Sequence, residues 1–282
     1  ETGHDPSYII GGILRTSGVN AGVGKGPAFV IEADEYDNMF HGLRPQTAVI
    51  TNVEWDHPDF FPTPRVLRDS FRHFANLLPA AGLLFACADD PGAAALAAEQ
   101  RARGVRTLTY GFSDDAAWTA ADLRRGSSGY SFTIGSGAPS AEVHLKVPGR
   151  HNVLNALAAL IAAQHQGVDL TEAAAALAQF EGTGRRFEVR GAIDGVTVVD
   201  DYAHHPTAIR ATLEAVRSQY PDHAIWAVWQ PHTYSRTRAL FDAYAQAFAD
   251  ADHVLVTEIY AAREQPVAGV SGALMAAAIQ HP

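Results

Sequence analysis

Two short polar runs hold most of the groups in this sequence that could do chemistry. They are Asp200-Asp201-Tyr202-Ala203-His204-His205-Pro206 and Gln230-Pro231-His232-Thr233-Tyr234-Ser235-Arg236-Thr237-Arg238. Their imidazoles titrate in the working pH range, and a guanidinium fork is well matched to a carboxylate. Two more clusters lie upstream, Glu32-Ala33-Asp34-Glu35-Tyr36-Asp37 and Asn52-Val53-Glu54-Trp55-Asp56-His57-Pro58-Asp59. From these, Glu32 and His57 supply a carboxylate and an imidazole able to share a divalent cation that bridges nucleotide phosphates. Magnesium takes only one or two carboxylates in such sites and keeps its other positions for water and phosphate.

The elements that must position these groups follow from the apolar pattern. Val196-Thr197-Val198-Val199 and Ala224-Ile225-Trp226-Ala227-Val228-Trp229 are rich in β-branched and aromatic residues and read as strands. Each polar run therefore sits at the carboxyl end of a strand, where open α/β sheets keep their ligand sites. Residues 207–219 and 238–250 read as helices, the second with Leu240, Tyr244, Ala247 and Phe248 at steps of three and four. The expected unit is β-loop-α, with the chemistry in the loops.

Residues 28–31, 47–51 and 83–86 are further strand candidates, and 65–78 is an amphipathic helix with Leu67, Phe71, Phe74 and Leu78 on one face. An Ala/Leu helix over 152–166 reads as buried. The Gly/Ser-rich stretch 124–140 is expected to hold a β-hairpin with Tyr130-Ser131-Phe132-Thr133-Ile134 as one strand. Alternating strands and helices argue for an α/β fold with a parallel sheet. If strands 28–31 and 47–51 are neighbours in it, Glu32 and His57 face one crevice, while Glu35, Asp37 and Glu54 read as solvated strand ends. A helical region over 171–179 ends near Phe180-Glu181-Gly182-Thr183-Gly184, and a strand pattern starts at Arg186. Those glycines mark a boundary between domains 1–182 and 183–282.

The 282 residues suit two domains, and 47% hydrophobic with 18% charged content is that of a soluble globular protein. No apolar stretch approaches the roughly 18 to 20 residues that span a bilayer, so no membrane partner is expected. A formal charge of −10 excludes a broad nucleic-acid surface, although local arginines can hold small anions. The single Cys87, in an apolar strand-like run, reads as a buried structural thiol, which fits a reducing cytoplasm. Glu1-Thr2-Gly3-His4-Asp5-Pro6 shows no initiator Met and no secretory signal, and the chain stops just after a helix-like 272–279, so it reads as an internal piece of a longer protein. Gly22-Val23-Gly24-Lys25-Gly26 is not a phosphate loop, because Val19 stands where the first glycine belongs and no Ser or Thr follows Lys25.

These motifs together resemble the Mur ligase family, the ATP-dependent amide-forming ligases of peptidoglycan precursor synthesis. The resemblance also takes in Asp5 through Gly12, Gly24-Lys25-Gly26, Gly149-Arg150-His151-Asn152-Val153-Leu154-Asn155-Ala156 and Gly184-Arg185-Arg186-Phe187-Glu188. It implies a central ATP-binding domain, a parallel-sheet P-loop-type fold here without its P-loop, followed by a partial Rossmann-like C-terminal domain. Within the family, the sequence looks like the member that joins L-alanine to the carboxylate of UDP-N-acetylmuramate. Its nearest rival is the murein-tripeptide recycling ligase, which usually lacks the Gln230–Arg238 run. A folate- or cyanophycin-type ligase and a non-catalytic nucleotide-binding module are the remaining readings.

The resemblance implies ATP and magnesium (Mg2+) as cofactors. Glu32 and His57 match the metal ligands; Asn152 and Asn155, Arg186 and Asp201 match residues that meet the nucleotide. His205 belongs to the same strand-end segment that closes on ATP. His232 and Arg236 match positions holding the incoming amino acid, with Arg238 available because Thr233 replaces an arginine common in the family. His204 or His205 is an alternative general base for the amine. Asn152 read structurally is a helix N-cap, and Asp200 a helix-capping or loop-fixing carboxylate. The oligomeric state is not set by the sequence, and this chain alone is expected to be inactive.

Overall fold

In the computed structural model, residues 2–126 and 129–280 are described. The chain divides into two compact units, the first made of residues 1–54 and 64–184 and the second of 55–63 and 185–282. The sequence boundary at 182/183 compares with a division at 184/185, and the short segment 55–63 leaves the first unit to join the second.

The first unit opens with β1 (Ser7–Ile9), β2 (Ala21–Gly22) and β3 (Phe29–Ile31), which form a sheet of order β2-β1-β3 with β1 and β3 parallel. A 3-10 turn over Tyr36–Gly42 leads to β4 (Thr47–Ile50), α1 (Pro64–Ala75), β5 (Leu83–Cys87), α2 (Pro91–Ala102) and β6 (Arg106–Gly111). Then come β7 (Trp118–Arg125), β8 (Tyr130–Gly135), β9 (Pro139–Leu145), α3 (Arg150–His165) and α4 (Leu170–Leu177). Strands β4 to β9 make one six-stranded sheet in chain order. Its β4-β5-β6-β7 part is parallel, as expected, and β7-β8-β9 extends it antiparallel. The hairpin expected over 124–140 lies in this extension, although its Ser127 and Ser128 fall outside the described residues.

Strand β5 is buried at all five positions, the mark of a strand covered on both faces. Helices α2 and α3 cover it, with Val153, Leu157, Leu160 and Ile161 of α3 each at most 2% exposed. Cys87 ends β5 in this core, and burial pushes its thiol pKa upward.

Several expectations are corrected. Strands 28–31 and 47–51 are not neighbours: β3 takes β1 as its partner and β4 takes β5, in separate sheets, so the shared crevice inferred from their adjacency loses its basis. The helix expected over 65–78 ends at Ala75, and Leu78 stays buried in the turn after it. Helix α3 begins at Arg150, so Asn152 is not its N-cap; Gly149 is, at φ 97, a conformation open to glycine.

The second unit contains β10 (Glu188–Ile193), β11 (Val196–Asp200), α5 (Pro206–Gln219), β12 (Trp226–Trp229), α6 (Tyr234–Ala239), α7 (Phe241–Ala245), β13 (His253–Val256) and α8 (Gly272–Ala278). Strands β12 and β13 are parallel. Strand β11 is paired antiparallel with β10, because Asp194-Gly195, at φ 49 and 80, closes a tight hairpin between Ile193 and Val196; it is not hydrogen-bonded to β12. The helix expected over 238–250 starts earlier, at Tyr234, and is broken at Leu240. Beyond the break, Tyr244 is fully buried, its ring centroid 4.7 Å from that of Trp229.

The Gly24-Lys25-Gly26 run has a packing role. Its chain crosses that of residues 4–7 so closely that a Cβ on Gly24 would lie 1.9 Å from the Asp5 carbonyl oxygen. Lys25 N–H donates to Asp5 Oδ2 at 2.9 Å and Gly26 N–H to Asp5 O at 2.8 Å. Gly24→Ala should therefore destabilise the first unit by about 1–3 kcal/mol, the usual range for overpacking, as read by thermal or denaturant unfolding; unchanged stability would refute the crossing.

Candidate functional site

The segment 55–63 is folded by its own hydrogen bonds. Trp55 Nε1–H donates to Phe61 O at 2.8 Å, and the Phe60 and Phe61 amides both donate to His57 O. His57 sits at φ 52, and its amide donates to Asp56 Oδ1 at 2.6 Å. Arg263 adds an ion pair to Asp59 at 3.0 Å.

Helix α6 brings the other half. Thr233 is its N-cap at φ 64 and ψ 147, a conformation that costs a β-branched residue energy. That backbone is held by Thr237, whose hydroxyl donates to Thr233 O at 2.7 Å, and by Tyr260 O, which accepts from Thr233 N–H. Glu264 accepts from the Ser235 amide at 2.8 Å and from its hydroxyl. One turn into the helix, Arg236 is only 4% exposed.

Three edges of that buried guanidinium are occupied. Nε donates to Asp56 Oδ1 at 2.5 Å, Nη1 to His232 Nδ1 at 3.0 Å and Nη2 to His57 Nδ1 at 3.2 Å. A buried charge without a partner is strongly destabilising, and Asp56 is the partner. Burial raises the pKa of Asp56, but the charge and hydrogen bond of Arg236, with the His57 backbone N–H, outweigh it and hold the carboxyl below its usual range.

The geometry assigns the histidine protons. Arginine can only donate, so Nδ1 of His57 and of His232 must accept, and each neutral ring carries its proton on Nε2. Burial, reinforced by Arg236, lowers the His232 pKa. His204 is the opposite tautomer: Nδ1–H donates to Tyr202 O at 2.9 Å, leaving an Nε2 lone pair 3.9 Å from Asp56 Oδ2. Its pKa is lowered to about 4 by burial and then by Arg236, which makes it a weak base at neutral pH. His205 is the N-cap of α5; Nδ1 accepts from Thr207 N–H at 3.3 Å and Nε2 donates to Trp55 O at 3.2 Å. Of the two histidines expected as alternative bases, only His204 thus offers a lone pair in this arrangement.

The remaining expected residues divide between the units. In the second, Asp201 fixes the loop after β11, accepting from the Phe187 and Ala203 amides at 2.7 and 2.8 Å and from the Thr212 hydroxyl at 3.2 Å. That loop-fixing role was expected of Asp200, which instead lies 3.8 Å from Arg185. Arg186 lies over the Tyr202 ring at 5.9 Å, and Arg238 is exposed on α6. In the first unit, Asn152 and Asn155 share a face of α3, linked by a 3.3 Å side-chain bond. Glu32 follows β3, exposed, with Oε2 accepting Gly11 N–H at 2.6 Å.

Glu32 and His57 fall in different units. Glu32 fits the single-carboxylate manner of holding magnesium, with one oxygen beyond its Gly11 bond. His57 could ligate a metal only by giving up the Arg236 bond or the Nε2 proton. Among the described residues, no cluster of three or more His, Cys, Asp or Glu has metal-site geometry. A groove of about 330 Å³ between α3 and α4, lined by Leu14, Leu160, Leu177 and Phe180 among others, has no titratable side chain in its lining. Sequence reasoning missed Asp56 and Glu264. A signal for Asp56 was its place beside His57; Glu264 had none.

Comparison with known proteins matches residues 23–163 to the Mur ligase middle domain and residues 185–282 to the Mur ligase, glutamate ligase domain. The chain is 49% identical over 279 residues to the UDP-N-acetylmuramate–L-alanine ligase of Paenarthrobacter aurescens, covering 98% of this chain and 60% of that protein. It is 45% identical to the enzyme of the same name from Renibacterium salmoninarum, covering 98% of this chain and 59% of that protein. This chain thus spans about three fifths of the length of these relatives. Among solved structures, the UDP-N-acetylmuramate-alanine ligase of Thermotoga maritima matches with a TM-score of 0.76 at 28% identity, over 98% of this chain and 58% of that one. A murein peptide ligase from Psychrobacter arcticus matches at 0.63 and 30%, over 89% and 57%.

The His204 environment has a consequence for stability. Its folded pKa lies below the ordinary 6.5, so between about pH 6.5 and 4 the unfolded chain takes up a proton the folded chain refuses, and stability falls as pH drops through that window. His204→Asn should flatten this part of the denaturant-measured stability profile; an unchanged slope would show that His204 titrates normally.

Proposed function

The chain belongs to the Mur ligase family, and from that premise we propose that it acts, within a protein of its relatives' length, in joining L-alanine to the carboxylate of UDP-N-acetylmuramate at the expense of ATP. The carrying observation is the 45–49% identity, over almost the whole chain, to ligases named for those two substrates. The higher TM-score against the alanine ligase than against the murein peptide ligase supports the same choice.

In this reading, residues 1–182 form the central ATP-binding domain and 183–282 the Rossmann-like ligase domain, working in the cytoplasm. The muramate carboxylate attacks the γ-phosphate of ATP, giving an acyl phosphate and ADP; the amine of L-alanine then attacks the acyl carbon and expels phosphate. Each step moves negative charge that fixed donors can stabilise. Glu32 would hold magnesium, joined by His57 if the Arg236 bond is released; the ion, when bound, neutralises phosphate charge. Asn152, Asn155 and Arg186 meet the nucleotide. Asp201 shapes the loop that carries His204 and His205 toward it, which ranks its loop-fixing bonds above direct contact.

His232 and Arg236 face the incoming amino acid. Three of the five guanidinium N–H groups already have protein acceptors, so a substrate carboxylate would use the two that remain on Nη1 and Nη2, or Arg238. The weak basicity of His204 makes it an acceptor for the alanine ammonium more than a strong base.

The test is phosphate release with ATP, magnesium and UDP-N-acetylmuramate by the protein at its relatives' full length. Dependence on L-alanine is expected; dependence on L-Ala-γ-D-Glu-meso-diaminopimelate would make it a recycling ligase, and no release with either would overturn the reading. The 282-residue chain alone should release none. Glu32→Gln, which keeps an oxygen for Gly11 N–H, should lower release at least about 100-fold with little change in melting temperature; a matching loss of folding would make Glu32 structural.

A further inference from the structure

We propose that Asp56 is a positioning residue: by holding Nε of Arg236 it aims the two terminal nitrogens at His232 and His57 and fixes both imidazoles in the tautomer protonated at Nε2. Asp56 is not among the residues that meet substrate, nucleotide or metal, and the geometry for a positioning role is complete within the second unit. His57 comes from segment 55–63 and His232 from the loop after β12, 175 positions apart in the chain. One planar fork serves both, at 3.0 and 3.2 Å.

The guanidinium is rigid and planar, so anchoring its Nε edge sets the direction of both Nη groups at once. Asp56 Oδ1 supplies that anchor at 2.5 Å. The anchor is itself fixed, since the same oxygen accepts the His57 backbone N–H at 2.6 Å. The charged groups around the fork are Asp56 and, farther off, Glu264, which is engaged by Ser235. Asp56 is thus the only carboxylate among the described residues in hydrogen-bond contact with Arg236. Without it the guanidinium has no acceptor at Nε, and its freedom to rotate would leave each imidazole to choose its own tautomer.

The consequence for catalysis rests on the reading that His232 and Arg236 meet the amino acid. An Nε2–H tautomer makes His232 a hydrogen-bond donor on its far side, suited to an anionic oxygen. Loss of the tautomer would therefore weaken amine-substrate binding more than it slows turnover.

The direct test is long-range ¹H–¹⁵N correlation of the imidazoles in the 282-residue chain, comparing wild type with Asp56→Ala and Asp56→Asn. In wild type, His57 and His232 should show protonated Nε2 and bare Nδ1. Asp56→Ala should lose that pattern at both rings together, whereas Asp56→Asn, which keeps an acceptor oxygen, should retain it; His41, in the first unit, should be the same in all three. If the alanine variant does not fold, Asp56→Ser, whose hydroxyl is too short to reach Nε, takes its place. Unaltered tautomers at both rings in the Ala or Ser variant would overturn the proposal, as would their loss in Asp56→Asn. At full length, Asp56→Ala should raise KM for L-alanine about tenfold or more with a smaller change in kcat. Shifted tautomers with unchanged KM would uphold the positioning role and refute the placement of the amino acid at His232 and Arg236.

Discussion

A guanidinium buried to 4% exposure must be neutralised where it stands, and the second unit is organised around that requirement. Arg236 reaches its place because α6 starts at a strained Thr233, held by Thr237 and Tyr260. Its counter-charge comes from Asp56, on a segment whose fold is set by Trp55, His57 and the Phe60 and Phe61 amides. The burial of Phe61, at 1% exposure, ties that segment down further. The local conformations of two distant stretches of chain thus answer to one ion pair.

The same pair governs the histidines. A positive neighbour disfavours a second positive charge, and Arg236 acts in this direction on both His204 and His232. The cluster then carries one cation, one anion and neutral rings. Such a cluster sits close to electrostatic balance, and the direction of each proton, more than net charge, sets the hydrogen bonds it can make. His204 offers an acceptor, whereas His57 and His232 carry donors.

Much of this was legible in the residues themselves. Strands β5 and β8 and helices α1, α3 and α5 followed from apolar periodicity, because each buries an apolar face; β12 followed from its aromatic and β-branched residues, although Trp226 and Val228 are exposed. The two polar runs were placed after strands, as found. The hairpin of β10 and β11 was missed although Asp194-Gly195 is a strong turn signal, because the apolar run after it read equally well as a strand of a parallel sheet. The break at Leu240, at φ −110 and ψ 19, had no local sign, since Leu240, Tyr244, Ala247 and Phe248 keep helical spacing across it. The Asp56–Arg236 contact spans 180 positions, and nothing in either run says which carboxylate a helical arginine will meet. Of two adjacent aspartates, Asp201 and not Asp200 fixes the loop, because its side chain reaches the Phe187 and Ala203 amides.

The excursion of residues 55–63 into the second unit changes what counts as a separable part of this molecule. Recombination and domain shuffling act on contiguous chain, and a crossover at 184/185 looks like the natural seam. A chimaera joined there would take Arg236 from one parent and Asp56 from the other, so the two parents would have to agree on an ion pair that neither of their contiguous halves contains. The heritable module is discontinuous: the second unit carries nine residues of its own structure inside the neighbouring stretch of gene, and those nine must travel with it.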